Sequence, residues 1–201
     1  MGLLSGVAVA AVVLAACKSD PVQSQRAAHI QVLLQDDPAE LIDIAEVWIS
    51  RVYLVGGGEG QLDLFHDPDD PHHFDLLELQ NGVVADLTGE EEIPAGRYGQ
   101  LRLVVDRAQV TLREGYTFED GESVQAVQVP SGSRSGIKVL LNGEIEAEPE
   151  SMTTVLVDFD VKENFVIQGD WEDRAEVRNI LFTPVLKEVS RTSANGEDVG
   201  G

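Results

Sequence analysis

Val155-Leu156-Val157-Asp158-Phe159-Asp160-Val161-Lys162 sets Val155, Val157, Phe159 and Val161 in alternation with Leu156, Asp158, Asp160 and Lys162. A period of two sends successive side chains to opposite faces, so this stretch reads as a half-buried β-strand. The same period recurs outward in both directions. Ile30, Val32 and Leu34 share one face of an earlier strand, and Leu101, Leu103 and Val105 share a face of the run Tyr98 to Val105. Val47 to Val55 is rich in Val, Ile, Trp and Tyr and stops at Gly56-Gly57-Gly58-Glu59-Gly60. Val124 to Val129, Ile137 to Leu141 and Ile180 to Val189 supply further strands, with Pro184 marking the last as an edge or bulged strand. Asn81-Gly82 and Asn142-Gly143 are hairpin-type turn signals. Helical signal is confined to Pro38–Ala45 and Leu76-Leu77-Glu78-Leu79, a turn or two each. Eight or more short strands with turns between them predict an all-β fold, a single antiparallel β-sandwich.

The chain of 201 residues carries 36 Asp and Glu against 14 Lys and Arg, a formal charge of −22. Such a field repels phosphate backbones and excludes nucleic acid as a partner. A hydrophobic fraction of 43% is enough for a packed core. The lone cysteine, Cys17, can form neither an internal disulfide nor a thiolate metal site.

Leu3 to Ala16 is an apolar run interrupted only by Ser5 and Gly6, and it ends Leu14-Ala15-Ala16-Cys17 before polar Lys18-Ser19-Asp20. As a helix it would fall short of a bilayer core, and small residues before the break read as a secretory signal. Cys17 directly after Leu-Ala-Ala resembles the lipobox of bacterial lipoproteins, in which the cysteine is acylated and the signal is cut before it. Residues 1–16 are therefore expected to be the signal, 17–27 the lipidated cysteine and flexible tether, 28–189 the sandwich, and 190–201 a frayed tail. Met1-Gly2-Leu3-Leu4 lacks a basic n-region, which leaves a start upstream open.

Several groups would suit chemistry. His66-Asp67-Pro68-Asp69-Asp70-Pro71-His72-His73-Phe74-Asp75 gathers three of the four histidines, and His66, His72, His73 and Asp75 are its candidate metal ligands. Its spacing matches neither a His-Glu-x-x-His helix nor an EF-hand loop, and the competing reading is a solvated loop. Asp158 and Asp160, placed on one strand face, form a second candidate cation site, with a solvated face as the alternative. Glu144, Glu146, Glu148 and Glu150 would line one face of a strand, and Glu90-Glu91-Glu92 forms another acidic cluster. Gly132-Ser133-Arg134-Ser135-Gly136 has Arg where a nucleophile elbow needs Ser, so it reads as a loop. His29 sits on the polar face of its strand with no evident partner in sequence. No catalytic constellation is complete. A divalent cation is the one cofactor these residues would suit.

Seven blocks, in order, carry a family resemblance: Asp37-Pro38-Ala39, Val47-Trp48-Ile49-Ser50-Arg51-Val52, Asp75 to Gly82, Ile93 to Leu103, Val129 to Lys138, Val155 to Val161, and Pro184-Val185-Leu186. Together they resemble the DUF4382 domain of bacterial and archaeal secreted proteins and lipoproteins, over about 28–189. The resemblance implies a secreted β-sandwich and supplies no catalytic residues. Pro94-Ala95-Gly96-Arg97-Tyr98 is also similar to a loop-to-strand junction of transthyretin-like sandwiches, within an Ig-like or transthyretin-like architecture. The expected function is a lipid-anchored cell-envelope module with a non-enzymatic binding or structural role. Its expected partners are the membrane, through Cys17, and an envelope protein or glycan. Metal binding by the 66–75 loop is the second reading, and an extracytoplasmic hydrolase the third.

Overall fold

A computed structural model describes residues 27–36, 41–58, 60–130, 135–170 and 176–195. The signal, Cys17 and most of the tether lie outside the described residues. Within them the fold is all-β and sandwich-like. The strands are β1 (Ala27–Gln35), β2 (Ile42–Gly56), β3 (Gly60–His66), β4 (His72–Asp75), β5 (Ala85–Asp86), β6 (Glu91–Pro94) and β7 (Gly96–Leu112). They continue with β8 (Thr117–Phe118), β9 (Val124–Val127), β10 (Ile137–Leu140), β11 (Ile145–Ala147) and β12 (Ser151–Asp158). The last are β13 (Phe165–Asp170), β14 (Glu176–Phe182) and β15 (Leu186–Asn195). A 3-10 turn at Leu76–Leu79 and one helical turn, α1 (Val161–Asn164), interrupt them.

A twelve-stranded sheet follows the path β3-β2-β7-β10-β15-β12-β1-β5 and curls around one continuous core; β13-β14-β8 form a small second sheet. The expected purely antiparallel order is corrected here, because β1 runs parallel to β12, β10 to β15 and β8 to β14. Parallel neighbours cannot be joined by hairpins and need crossovers. Here the chain between β1 and β12 builds most of the other strands before it returns.

The alternation that predicted the strands sorts them into faces. Ile30, Val32, Leu34, Leu101, Leu103 and Val105 are all fully buried. β2 and β7 pair along nearly their whole lengths, with bulges that bend the sheet. Asn81 and Gly82 both take positive φ, and Val83 N–H donates to the Gln80 carbonyl at 3.1 Å, a type I′ turn as Asn-Gly implies. Gly57, at φ +67°, lies against the Tyr98 ring, where an added Cβ would come within 2.6 Å.

The Phe159–Lys162 end of the opening stretch is not strand. β12 stops at Asp158, Asp160 takes a left-handed conformation at φ 44°, and Val161 begins α1. Phe159 and Val161 remain fully buried, so the apolar pattern held while the backbone period changed. Ile180 to Val189 is likewise two strands, with Pro184 in the break between them. β15 is central, lying between β10 and β12, and it continues to Asn195 through part of the expected tail. Residues 42–45, read as helical, belong to β2.

Candidate functional site

β4 pairs with β2 so that His73 lies opposite Trp48 and His72 opposite Ile49. As consecutive strand residues the two histidines point to opposite faces. The His72 ring stacks on Phe65 at 3.8 Å and meets the edge of Phe74 at 6.1 Å. His73 stacks on Trp48 at 4.4 Å, and its Nε2 lies 2.8 Å from Glu46 Oε1. His66 Nδ1 is 3.5 Å from Asp63 Oδ2. Asp75 Oδ1 accepts from the N–H groups of Leu77 and Ala45, both at 3.1 Å, capping the 3-10 turn. Asp67 Oδ1 accepts from the N–H groups of Asp69 and Asp70, which folds the loop tip on itself. The proposed ligand set His66, His72, His73 and Asp75 therefore does not converge. Among the described residues no group of three or more His, Cys, Asp or Glu is placed to hold a metal ion.

What the segment builds instead is a row across three strands. Arg107, opposite Trp48 on β7, sets its guanidinium carbon 3.8 Å from the Trp48 ring centroid. Trp48 thus has His73 from one neighbouring strand and Arg107 from the other, which leaves little ring face for a sugar to stack on. In the next row Gln109 Nε2 donates to Glu46 Oε2 at 3.0 Å. Such stacked pairs are each worth about 0.5–1.5 kcal/mol.

The second candidate pair is differently placed than expected. Asp158 ends β12, opposite Lys187 of β15, while Asp160 caps α1 by accepting from Glu163 N–H at 3.0 Å. Lys187 bonds to Glu163, and that bond, with the charges of Glu163, Asp160 and Asp158, holds its ammonium above the ordinary lysine range. Asp158 and Asp160 thus both lie within the electrostatic reach of the Lys187 ammonium. Two residues at this corner were silent in the sequence. Buried Asp36 accepts from Val161 N–H at 2.7 Å, fastening β1 to α1. Fully buried Asn164 donates to the Phe159 and Val185 carbonyls and accepts from Val185 N–H at 2.6 Å, bracketing Pro184. Asn164 follows Lys162-Glu163, and nothing in that polar context marks it as buried.

Glu144, Glu146 and Glu148 do share a face, and with Arg191 and Ser193 they line a depression of about 400 Å³. Arg97 pairs with Glu146 at 3.0 Å. His29 finds Glu90 at 3.2 Å, a partner the sequence did not indicate. Ser133 and Arg134 lie outside the described residues, and the Ser135 carbonyl accepts from the Tyr53 hydroxyl and from Arg102.

Every histidine thus faces a carboxylate or an aromatic ring, and the aspartates of the turns cap backbone N–H groups. These features define an all-β domain in which the described histidines and several turn aspartates engage side chains and backbone of the domain itself. Residues 27–174 match the family described as Domain of unknown function (DUF4382), and the chain belongs to it. No curated protein and no solved structure matches.

Proposed function

We propose that this protein is a lipid-anchored module of the cell envelope with a non-enzymatic binding or structural role. The observation that carries this reading is Leu14-Ala15-Ala16-Cys17 after an apolar run, followed by Lys18. Each buried acyl CH₂ contributes about 0.8 kcal/mol, so two or three chains on Cys17 would hold the protein firmly. Lys18, rather than Asp, after the cysteine favours the outer membrane if the cell is Gram-negative.

The position of Ala27 supports a tethered arrangement. It pairs with Pro94, and its carbonyl accepts from Glu150 N–H at 2.9 Å. Glu92 lies two residues along, opposite His29, and Glu146 lies opposite Arg97, next to the Ala147–Gly96 pair that follows Pro94. Carboxylates there are repelled by anionic headgroups, and residues 18–26 can reach at most about 30 Å, which bounds how far the domain can stand from the anchor.

The test is fractionation of wild type and Cys17→Ser. Wild type should partition with membranes and detergent, and Cys17→Ser should be released or left unprocessed. Equal membrane retention of the two would refute the anchor.

A further inference from the structure

β9 and β14 face each other across a cleft, and among the described residues each has an edge with strand pairing on one side only. Among the described residues β9 pairs with β7 alone, whereas β14 pairs with β13 along its length and with β8 only at Glu176 and Val177. The cleft holds about 410 Å³ and is lined by Ala126, Gln128 and Pro130 on one wall and by Asn179 through Thr183 on the other. That volume lies within the ordinary range of ligand pockets. Phe182, stacked on Phe165 at 4.9 Å, ties this wall to the aromatic core. Leu181 of this wall and its cross-strand partner Val166 are exposed at 42% and 43%.

A strand paired on one side presents its remaining N–H and C=O groups on the other, and the partner that matches them is another extended backbone. Charge selects among extended segments. A second copy of this chain would bring a further −22 against the first. Glu176, at the start of β14, pairs with Thr117 of β8, Glu119, Asp120 and Glu122 follow in the turn after β8, and Arg178 is already 3.5 Å from Glu119. We propose that the cleft between β9 and β14 binds an extended peptide segment of a partner protein by strand addition. Small apolar side chains would enter the cleft, and Lys or Arg would flank them. This goes beyond the envelope reading and does not depend on Cys17.

The test pans a library of random twelve-residue peptides displayed on phage against the purified full chain, then titrates synthetic copies of the enriched peptides. Enriched sequences should be basic and should alternate small apolar with polar residues. N-methylation of alternate amides, and Ala126→Trp on the exposed cleft wall, should each weaken binding about tenfold or more. Thermal melting of Ala126→Trp verifies its fold. If that variant melts early, Gln128→Trp on the same wall takes its place. No enrichment, or binding indifferent to N-methylation and to the cleft variant, would overturn the proposal. Dimerisation in sedimentation runs that the cleft variant abolishes would overturn it too, by assigning the cleft to a second copy. Membrane release of Cys17→Ser is read separately and decides neither outcome.

Discussion

Glu188 and Arg191 form an ion pair at 2.7 Å, although residues three apart on a regular strand face opposite ways. The β12–β15 register explains it: Val157 lies opposite Glu188 and Leu156 opposite Ser190, so Val189 is an extra, bulged residue. The bulge turns both charges to one face and leaves Val189 exposed at 47%. The Glu188 side chain is only 2% exposed, and its Oε2 also accepts from Asn142 N–H at 2.8 Å. Arg191 in turn donates to the carbonyls of Gly143 and Glu144, pinning the Asn-Gly turn to the central strand.

Removing one member should therefore cost far more than removing both. Glu188→Ala strands a mostly buried guanidinium and should destabilise by about 3–5 kcal/mol, while Glu188→Leu with Arg191→Met should recover most of that loss. Urea unfolding of wild type, the single variant and the double variant measures it. A double variant as unstable as the single one would contradict a cost arising from the unpaired charge.

Salt should stabilise the domain. With a net charge of −22, the described cation–carboxylate contacts are mostly surface pairs such as Arg97–Glu146 and Arg178–Glu119, worth little individually. Repulsion among the remaining carboxylates dominates and is screened by ions. The melting temperature should rise from low salt to molar NaCl. No change, or a fall, would show that carboxylate repulsion does not limit the stability of the domain.

The strand faces were legible because a period of two needs only the chemical type of each residue: Val32, Leu103 and Val157 are buried as their pattern required. Strand direction was not, since nothing local distinguishes a strand with a parallel neighbour from one with an antiparallel neighbour. β12 illustrates the limit: Phe159 and Val161 kept the apolar alternation, yet Asp160 breaks the strand by accepting from Glu163 N–H. The geometry of the His-rich segment was not legible for a related reason. Sequence proximity of His72 and His73 suggested convergence, but their strand conformation separates them, and stacking on Phe65 and Trp48 engages both rings.

Lys187 gives a pH dependence with a definite sign. Its folded-state pKa is raised, first by the bond to Glu163, so its contribution is fully present below the unfolded lysine pKa and lost as pH rises through the folded value. Stability of wild type relative to Lys187→Gln should be constant through neutral pH and shrink across the alkaline lysine range. Because the side chain is 44% exposed, the difference should be small, and it should shrink further in high salt. Denaturant titrations at increasing pH read it; a difference that grows with alkalinity would reverse the assignment.

The family match ends at residue 174, but the fold does not. β15 pairs with β12 from Ser151 to Asp158 on one side and with β10 at Val139 and Leu140 on the other. Its removal would leave two strand edges unpaired in the middle of the twelve-stranded sheet and expose apolar surface covered by Leu186, which is fully buried. β14 would go as well, leaving β13 without a ladder partner and Phe165 without the stacked Phe182 ring. A chain ending at residue 174 should therefore be unfolded or aggregated, whereas one ending at residue 195 should melt cooperatively near the full-length temperature. Circular dichroism melts of the two truncations decide this, and a cooperative transition in the shorter one would show that β15 is dispensable.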